Sequence, residues 1–186
     1  METYEAILTR RSVPKVGENR PPQDQIVRLL EAGVRAPTHH LTQPWRFVVL
    51  TGDARKELGD AWAAAEIRVQ GKDPESVRGK PLRAPVIITV IAHPKSHLPK
   101  VVDIEEHHAI GALMQNILLA AHSEGLGAMI RTGKAGEFEE VRQLLGVSND
   151  EYIAGFIYVG YPLEDDDRAP TRRTPVEDIT EWRGWG

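Results

Sequence analysis

The sequence contains no cysteine. That excludes disulfide frameworks, cysteine zinc sites and thiol nucleophiles, and it fits a reducing compartment. No apolar run reaches the ~18–20 residues that a membrane span needs. The amino-terminal stretch METYEAILTRRSVPK carries Glu2, Glu5, Arg10 and Arg11 and has no apolar leader pattern or cleavage site. Excess positive charge is missing as well: the formal net charge is −4, which disfavours nucleic acid as a partner. Several chemical signatures are also absent. There is no G-x-G-x-x-G, so a Rossmann nicotinamide domain is not indicated. A Walker loop, a G-x-S-x-G nucleophile elbow and a defensible pair of glycosidase carboxylates are missing too. A cytoplasmic protein with neither a membrane nor a nucleic-acid partner is expected.

What is present is ordinary globular material: 186 residues, 41% hydrophobic and 27% charged. That length suits one domain spanning 1–186. Tyr4, Ala6, Ile7 and Leu8 predict a short first helix that stops before Pro14. Ile26, Leu29, Leu30, Gly33 and Val34 recur at helical spacing over about Gln23 to Ala36, where Pro37 ends the run. Trp45 to Thr51 reads as a buried strand, and Asp53 as the N-cap of a helix reaching about Val69. Residues 70–84 read as a polar, mobile segment. Pro85 to His93 is rich in β-branched residues and apolar without alternation, which predicts a central strand covered on both faces. From about Asp103 to Glu124 a long helix is apolar around much of its circumference. A strand within Glu124–Gly133, a helix marked by Phe138, Val141, Leu144 and Leu145, and a strand over Tyr152–Pro162 follow. The tail from Glu164 is polar and proline-rich yet ends with Trp182 and Trp185, so it is expected to pack on something. The sum is about four strands and five helices in one α+β domain.

Four constellations carry possible chemistry. Arg10, Arg11 and Ser12 place two guanidiniums and a hydroxyl together, a donor set suited to phosphate; complementing a helix C-terminus is the plainer role. The loop Thr38-His39-His40-Leu41-Thr42-Gln43-Pro44 offers hydroxyls, two imidazoles and an amide, which can meet the edge of a planar heterocycle or form an ordinary surface loop. Arg131-Thr132-Gly133 ends a strand flanked by glycines that permit close backbone approach. Glu105-x-x-His108 is half of a di-iron bundle motif, but no second copy exists and the strands contradict a pure bundle. No metal site is expected, and His107 and His108 read as an ordinary helix face.

In this order and at these distances, RRSVPK, LLEAGVRAPTHHLTQPWRFVVL, APVIITVIA, GLGAMIRTG and FIYVGYP resemble the small FMN-dependent NAD(P)H nitroreductases of the nitroreductase family, over nearly the whole chain. The resemblance implies a nitroreductase-like α+β fold: a central, mostly antiparallel sheet flanked by helices. It also implies an intertwined homodimer whose C-terminal tail packs on the partner. Two FMN sites would lie at the interface. Arg10, Arg11 and Ser12 would hold FMN from one subunit, and Arg131, Thr132 and Gly133 would complete that cradle. Arg35 and His39 would reach the FMN of the partner. Ala121, His122, Ser123, Glu124, Gly125 and Leu126 fall where a nicotinamide-nucleotide contact is assigned. The implied activity is ping-pong oxidoreduction, with hydride passing from NAD(P)H through FMN N5 to a nitroaromatic, quinone or similar acceptor, and with no catalytic protein nucleophile. A non-catalytic FMN carrier and another flavin chemistry on the same fold are the alternatives. Leu41 stands where many relatives carry Asn, and Pro14 where many carry Lys or Arg. Residues 70–84 as a lid, and Arg172 or Arg173 as phosphate contacts, are left open by the sequence.

Overall fold

The computed structural model describes residues 1–70, 73–163 and 172–185. Six α-helices and four strands run in the order α1 (Thr3–Thr9), α2 (Gln23–Gly33), β1 (Trp45–Thr51), α3 (Ala54–Gln70), α4 (Glu75–Arg78), β2 (Val86–Ala92), α5 (Asp103–Ser123), β3 (Gly127–Arg131), α6 (Glu139–Leu144) and β4 (Tyr152–Gly160). The sheet has the order β1-β2-β4-β3, and every neighbouring pair is antiparallel. This is the expected α+β architecture, with one helix more than the sequence indicated. Part of the segment read as mobile folds into the single turn α4 and a 3₁₀ turn at Lys80–Arg83. A single turn is too short to show a hydrophobic period, so the sequence carries no helical signal there. Residues 71–72 and 164–171 lie outside the described residues.

All seven residues of β2 are buried, and the reason is the layering on either side. Val86, Ile88, Val90 and Ala92 project into a core built with Ile26 and Leu29 of α2 and Ile110, Leu113, Ile117 and Ala121 of α5. Ile87 projects the other way, into a second core with Leu58 and Ala65 of α3, Val141 of α6 and Phe156 and Tyr158 of β4. Alternate side chains of a strand point to opposite faces, so a strand buried at every position needs a helical layer on each side.

Helix α2 lies beside α5 because Ile26, Leu29 and Gly33 recur on one face, as the sequence period predicts. Its first turns are fixed to the far end of α5: Arg28 donates through Nε and Nη2 to both carboxylate oxygens of Glu124, at 3.0 and 2.8 Å. α5 ends in a Schellman turn, in which Gly125 donates to the His122 carbonyl and Leu126 to the Ala121 carbonyl. Gly125 takes φ +75°, a conformation that glycine adopts without the clash a Cβ would bring.

A buried carboxylate braces the opposite end of the sheet. Glu151, just before β4, accepts from Arg46 Nε and Nη2 at 2.6 and 2.8 Å and from the Ser148 amide at 3.0 Å. Arg46 belongs to β1, so this pair spans the intervening β2. The guanidinium outweighs burial and holds the Glu151 carboxyl at about 2 instead of the usual 4.5. Because the folded value is depressed, this stabilisation is complete above the unfolded value near 4.5 and is lost as pH falls toward 2. Glu151→Gln is therefore expected to flatten the decline of unfolding free energy across that window, measured by urea denaturation at a series of pH values.

Candidate functional site

Residues Arg10, Arg11 and Ser12 follow the last turn of α1 and lead into a segment that lies along the free edge of β3. The Val13 amide donates to the Ala128 carbonyl at 3.0 Å, and Val16 bridges Pro162. Three residues beyond Ala128 stands Arg131, within about 10 Å along the strand. The fold thus brings Arg10–Ser12 and Arg131–Gly133 to one sheet edge, from positions far apart in the sequence.

The Nε of Arg10 and the Nε of Arg131 are both buried, and neither has a hydrogen-bond partner. The Arg131 guanidinium sits over the Tyr158 ring, 5.1 Å from its centroid. A buried N–H without an acceptor costs about 1–3 kcal/mol, so two at one edge mark a place that an acceptor-rich ligand would complete. Thr132 and Gly133 are exposed beyond them. Gly133 has φ +122° and ψ −169°, a region open essentially to glycine alone.

His122, on the last turn of α5, is drawn to the same place. Its Nε2 lies 2.8 Å from Thr9 Oγ1. Burial first, then the charges of Arg10 and Arg11, hold the imidazole below its ordinary pKa. The rest of 121–126 is committed within the chain. Ala121 and Leu126 are buried, Glu124 is clasped by Arg28, and Gly125 forms the turn. His122 is half-buried and Ser123 is exposed.

Arg35 and His39 are elsewhere. Arg35 follows α2 and is exposed. His39 Nδ1 lies 3.6 Å from Glu105 Oε2, at the N-terminal end of α5. From Glu105 to His122 the helix extends roughly 25 Å at about 1.5 Å per residue. Within one chain, therefore, His39 does not meet His122 and the arginines beside it; the two occupy opposite ends of one helix.

The His39 loop is strained. His40, Leu41 and Gln43 have φ of +51°, +57° and +45°. For non-glycine residues this backbone region costs roughly 1–2 kcal/mol each. Leu41 is also 82% exposed, left uncovered among the described residues. Against this strain stand Thr42 Oγ1, which donates to Glu106 Oε1 at 2.6 Å, and the Pro44 carbonyl, which accepts from the His93 amide at 2.9 Å. Glu106 is wholly buried and also accepts from the Lys95 amide at 2.9 Å. Sequence reasoning passed over Thr42 and Glu106. A signal existed for the latter: Glu106 falls in step with Ile110, Leu113 and Ile117 on the buried stripe of α5, where an acid has no packing reason to be.

Among the described residues, no helix is long and apolar enough to cross a membrane. Arg172 and Arg173 are exposed, in the segment before a 3₁₀ turn at Val176–Ile179.

Comparison with known proteins agrees with this architecture. Residues 7–161 match the model of the Nitroreductase family. YdjA of Escherichia coli (strain K12), named provisionally as an NAD(P)H nitroreductase, is 33% identical over 164 residues, which cover 87% of this chain and 89% of that protein. A nitroreductase-like family protein from Bacillus cereus superposes with a TM-score of 0.86 at 25% identity, over 99% of this chain and 97% of that one. A protein of Desulfovibrio desulfuricans, provisionally named a nitroreductase and solved in complex with FMN, superposes with a TM-score of 0.75 at 25% identity, over 98% and 97% of the two chains.

The electrostatics at the β3 edge can be tested directly. Removing one guanidinium, as Arg10→Ala or Arg11→Ala, is expected to raise the His122 pKa in the ligand-free protein, read from its imidazole resonances in an NMR titration. An unmoved resonance would place the arginine charges away from His122.

Proposed function

The chain belongs to the nitroreductase family, and on that premise we propose that it is an FMN-dependent NAD(P)H oxidoreductase that works as a homodimer. The observation that carries the proposal is the pair of buried, partnerless Nε–H groups of Arg10 and Arg131 at one sheet edge. A phosphorylated, acceptor-rich cofactor supplies what those donors lack. When bound, FMN contributes the two-electron chemistry that links a nicotinamide donor to an oxidised acceptor.

The roles of the chain's own residues are binding and electrostatic. Arg10, Arg11 and Ser12 would hold the cofactor, with guanidinium charge opposing its negative charge. Arg131 would add a second guanidinium, and Thr132 and Gly133 would let the backbone approach closely. Arg35 and His39 would serve the second site of the dimer; for His39, the length of α5 keeps it from the first. The C-terminal end of α5 would meet NAD(P)H through His122 and Ser123, since the neighbouring side chains are occupied. A nitroaromatic, quinone or similar oxidised compound would follow the nicotinamide nucleotide into the same place, which makes turnover ping-pong. A cytoplasmic setting goes with this reading, because NAD(P)H is supplied there.

Support for the homodimer comes from apolar surface that one chain leaves uncovered. Val176, Ile179, Trp182 and Trp185 are 60–82% exposed, and Tyr4 and Leu8 of α1 are 81% and 76% exposed. Tryptophans so exposed in a tail favour burial against a second copy. All 186 residues are assigned to one domain in this reading.

The purified protein is expected to be yellow and to bleach with anaerobic NADH or NADPH. Its colour should return when a nitroaromatic or quinone is admitted. Arg10→Ala and Arg131→Ala should each weaken FMN binding about tenfold or more with an unchanged far-ultraviolet circular dichroism spectrum, and light scattering should give a dimer. A colourless protein that takes up no added FMN would defeat the proposal.

A further inference from the structure

The loop from Thr38 to Gln43 contains three of the four non-glycine residues with positive φ among the described residues: His40, Leu41 and Gln43. A loop this strained holds its shape only where its surroundings over-determine it. Within the chain, the polar side-chain contacts on it come from adjacent residues of α5: Glu105 facing His39 at 3.6 Å, and Glu106 accepting from Thr42 at 2.6 Å. The two contacts differ in kind. Glu105 meets an imidazole whose side chain is 53% exposed. Glu106 is 0% exposed, and its second oxygen is occupied by the Lys95 amide.

A buried carboxylate is expensive to desolvate, and a leucine or methionine would fill that volume on α5 without the cost. Three features make the acid tolerable: the Thr42 hydroxyl, the Lys95 amide and the partial positive charge of the first turn of α5. Only the first of these reaches the loop. A hydroxyl–carboxylate bond of this length is a strong one, and it falls between Leu41 and Gln43, in the middle of the strained run.

We propose that Thr42 and Glu106 are positioning residues, a buried latch that fixes the Thr38–Gln43 loop and so sets where His39 and Leu41 stand for the cofactor and acceptor. The proposal rests on the flavin reading for what the loop serves, but the latch itself is a property of the cofactor-free chain. Leu41, apolar and uncovered, is then held as one wall of the acceptor pocket. Thr42 and Glu106 touch neither ligand; they act through His39 and Leu41.

The test uses Thr42→Val, which keeps the shape and removes the hydroxyl; Thr42→Ser, which keeps the hydroxyl; and Glu106→Gln, which keeps the volume and removes the charge. In the cofactor-free protein, amide hydrogen exchange at His40, Leu41 and Gln43 is expected to be about tenfold faster or more in Thr42→Val and near wild type in Thr42→Ser. Exchange unchanged in both Thr42→Val and Glu106→Gln would overturn the latch, whatever the protein binds. In the second arm, FMN affinity from fluorescence quenching is expected to fall about tenfold in Thr42→Val and to recover in Thr42→Ser. It should fall no further when Thr42→Val is added to His39→Ala, because a positioning residue has nothing left to position. Additive losses in that double variant, or an affinity in Thr42→Val equal to wild type, would overturn the positioning role. Wild-type protein that binds no FMN would defeat the flavin reading and leave the exchange result to decide the latch. If Thr42→Val does not fold, Glu106→Gln carries both arms.

Discussion

Strand β2 is apolar on both of its faces, and burying both at once is the constraint from which the remaining arrangement follows. One helical layer cannot do it. α2 and α5 cover one side and α3 and α6 the other, and the sheet lies between the two cores. A central strand also needs hydrogen-bonding neighbours on both edges, which β1 and β4 supply. β3 is left as an edge with unpaired backbone groups, and the segment after Ser12 comes to lie along it. The edge at which the Nε atoms of Arg10 and Arg131 lie unpartnered is thus a consequence of how β2 is buried.

The same layering sets the distance between the two halves of the candidate site. α5 must be long enough to cover the sheet, and its 21 residues place Glu105 and His122 near opposite ends. Each end received its own polar apparatus. At one, Thr9, Arg10 and Arg11 surround His122, and Arg28 clasps Glu124. At the other, Glu105 and Glu106 meet the His39 loop. In the proposed homodimer, such a rod with different chemistry at its two ends would let two chains exchange ends, with the uncovered tryptophans of the tail at the partner.

Two buried carboxylates in this protein are paired, and two arginines present a buried Nε where a ligand would pair it. Glu151 has Arg46, and Glu106 has Thr42 and the Lys95 amide. Arg10 and Arg131 have no Nε partner. The first two tie distant parts of the chain together: β1 to the turn before β4, and the His39 loop to α5. Their removal would be felt as lost geometry more than as lost attraction, because a buried carboxylate or hydroxyl left alone must find another partner or expose itself.

Much of the fold was legible in the sequence wherever the signal is local. The β-branched run of β2, the helical period of α2 and the length of α5 are each written in consecutive residues, and the structure has them within a few positions of where they were read. The turn at Glu75–Arg78 was not legible, because four residues cannot display a period. Of the candidate site, the donor set of Arg10–Ser12 and the polar loop around His39 could be singled out by residue type. Their separation along α5, the shared edge of Arg10 and Arg131, and the task of Glu106 could not. Residue type and periodicity depend on neighbours in the chain, so the sequence by itself determined the elements, the buried strand and the chemistry on offer. Which of those side chains meet was decided by packing between segments more than a hundred residues apart, and contacts at that range leave no local mark in the sequence.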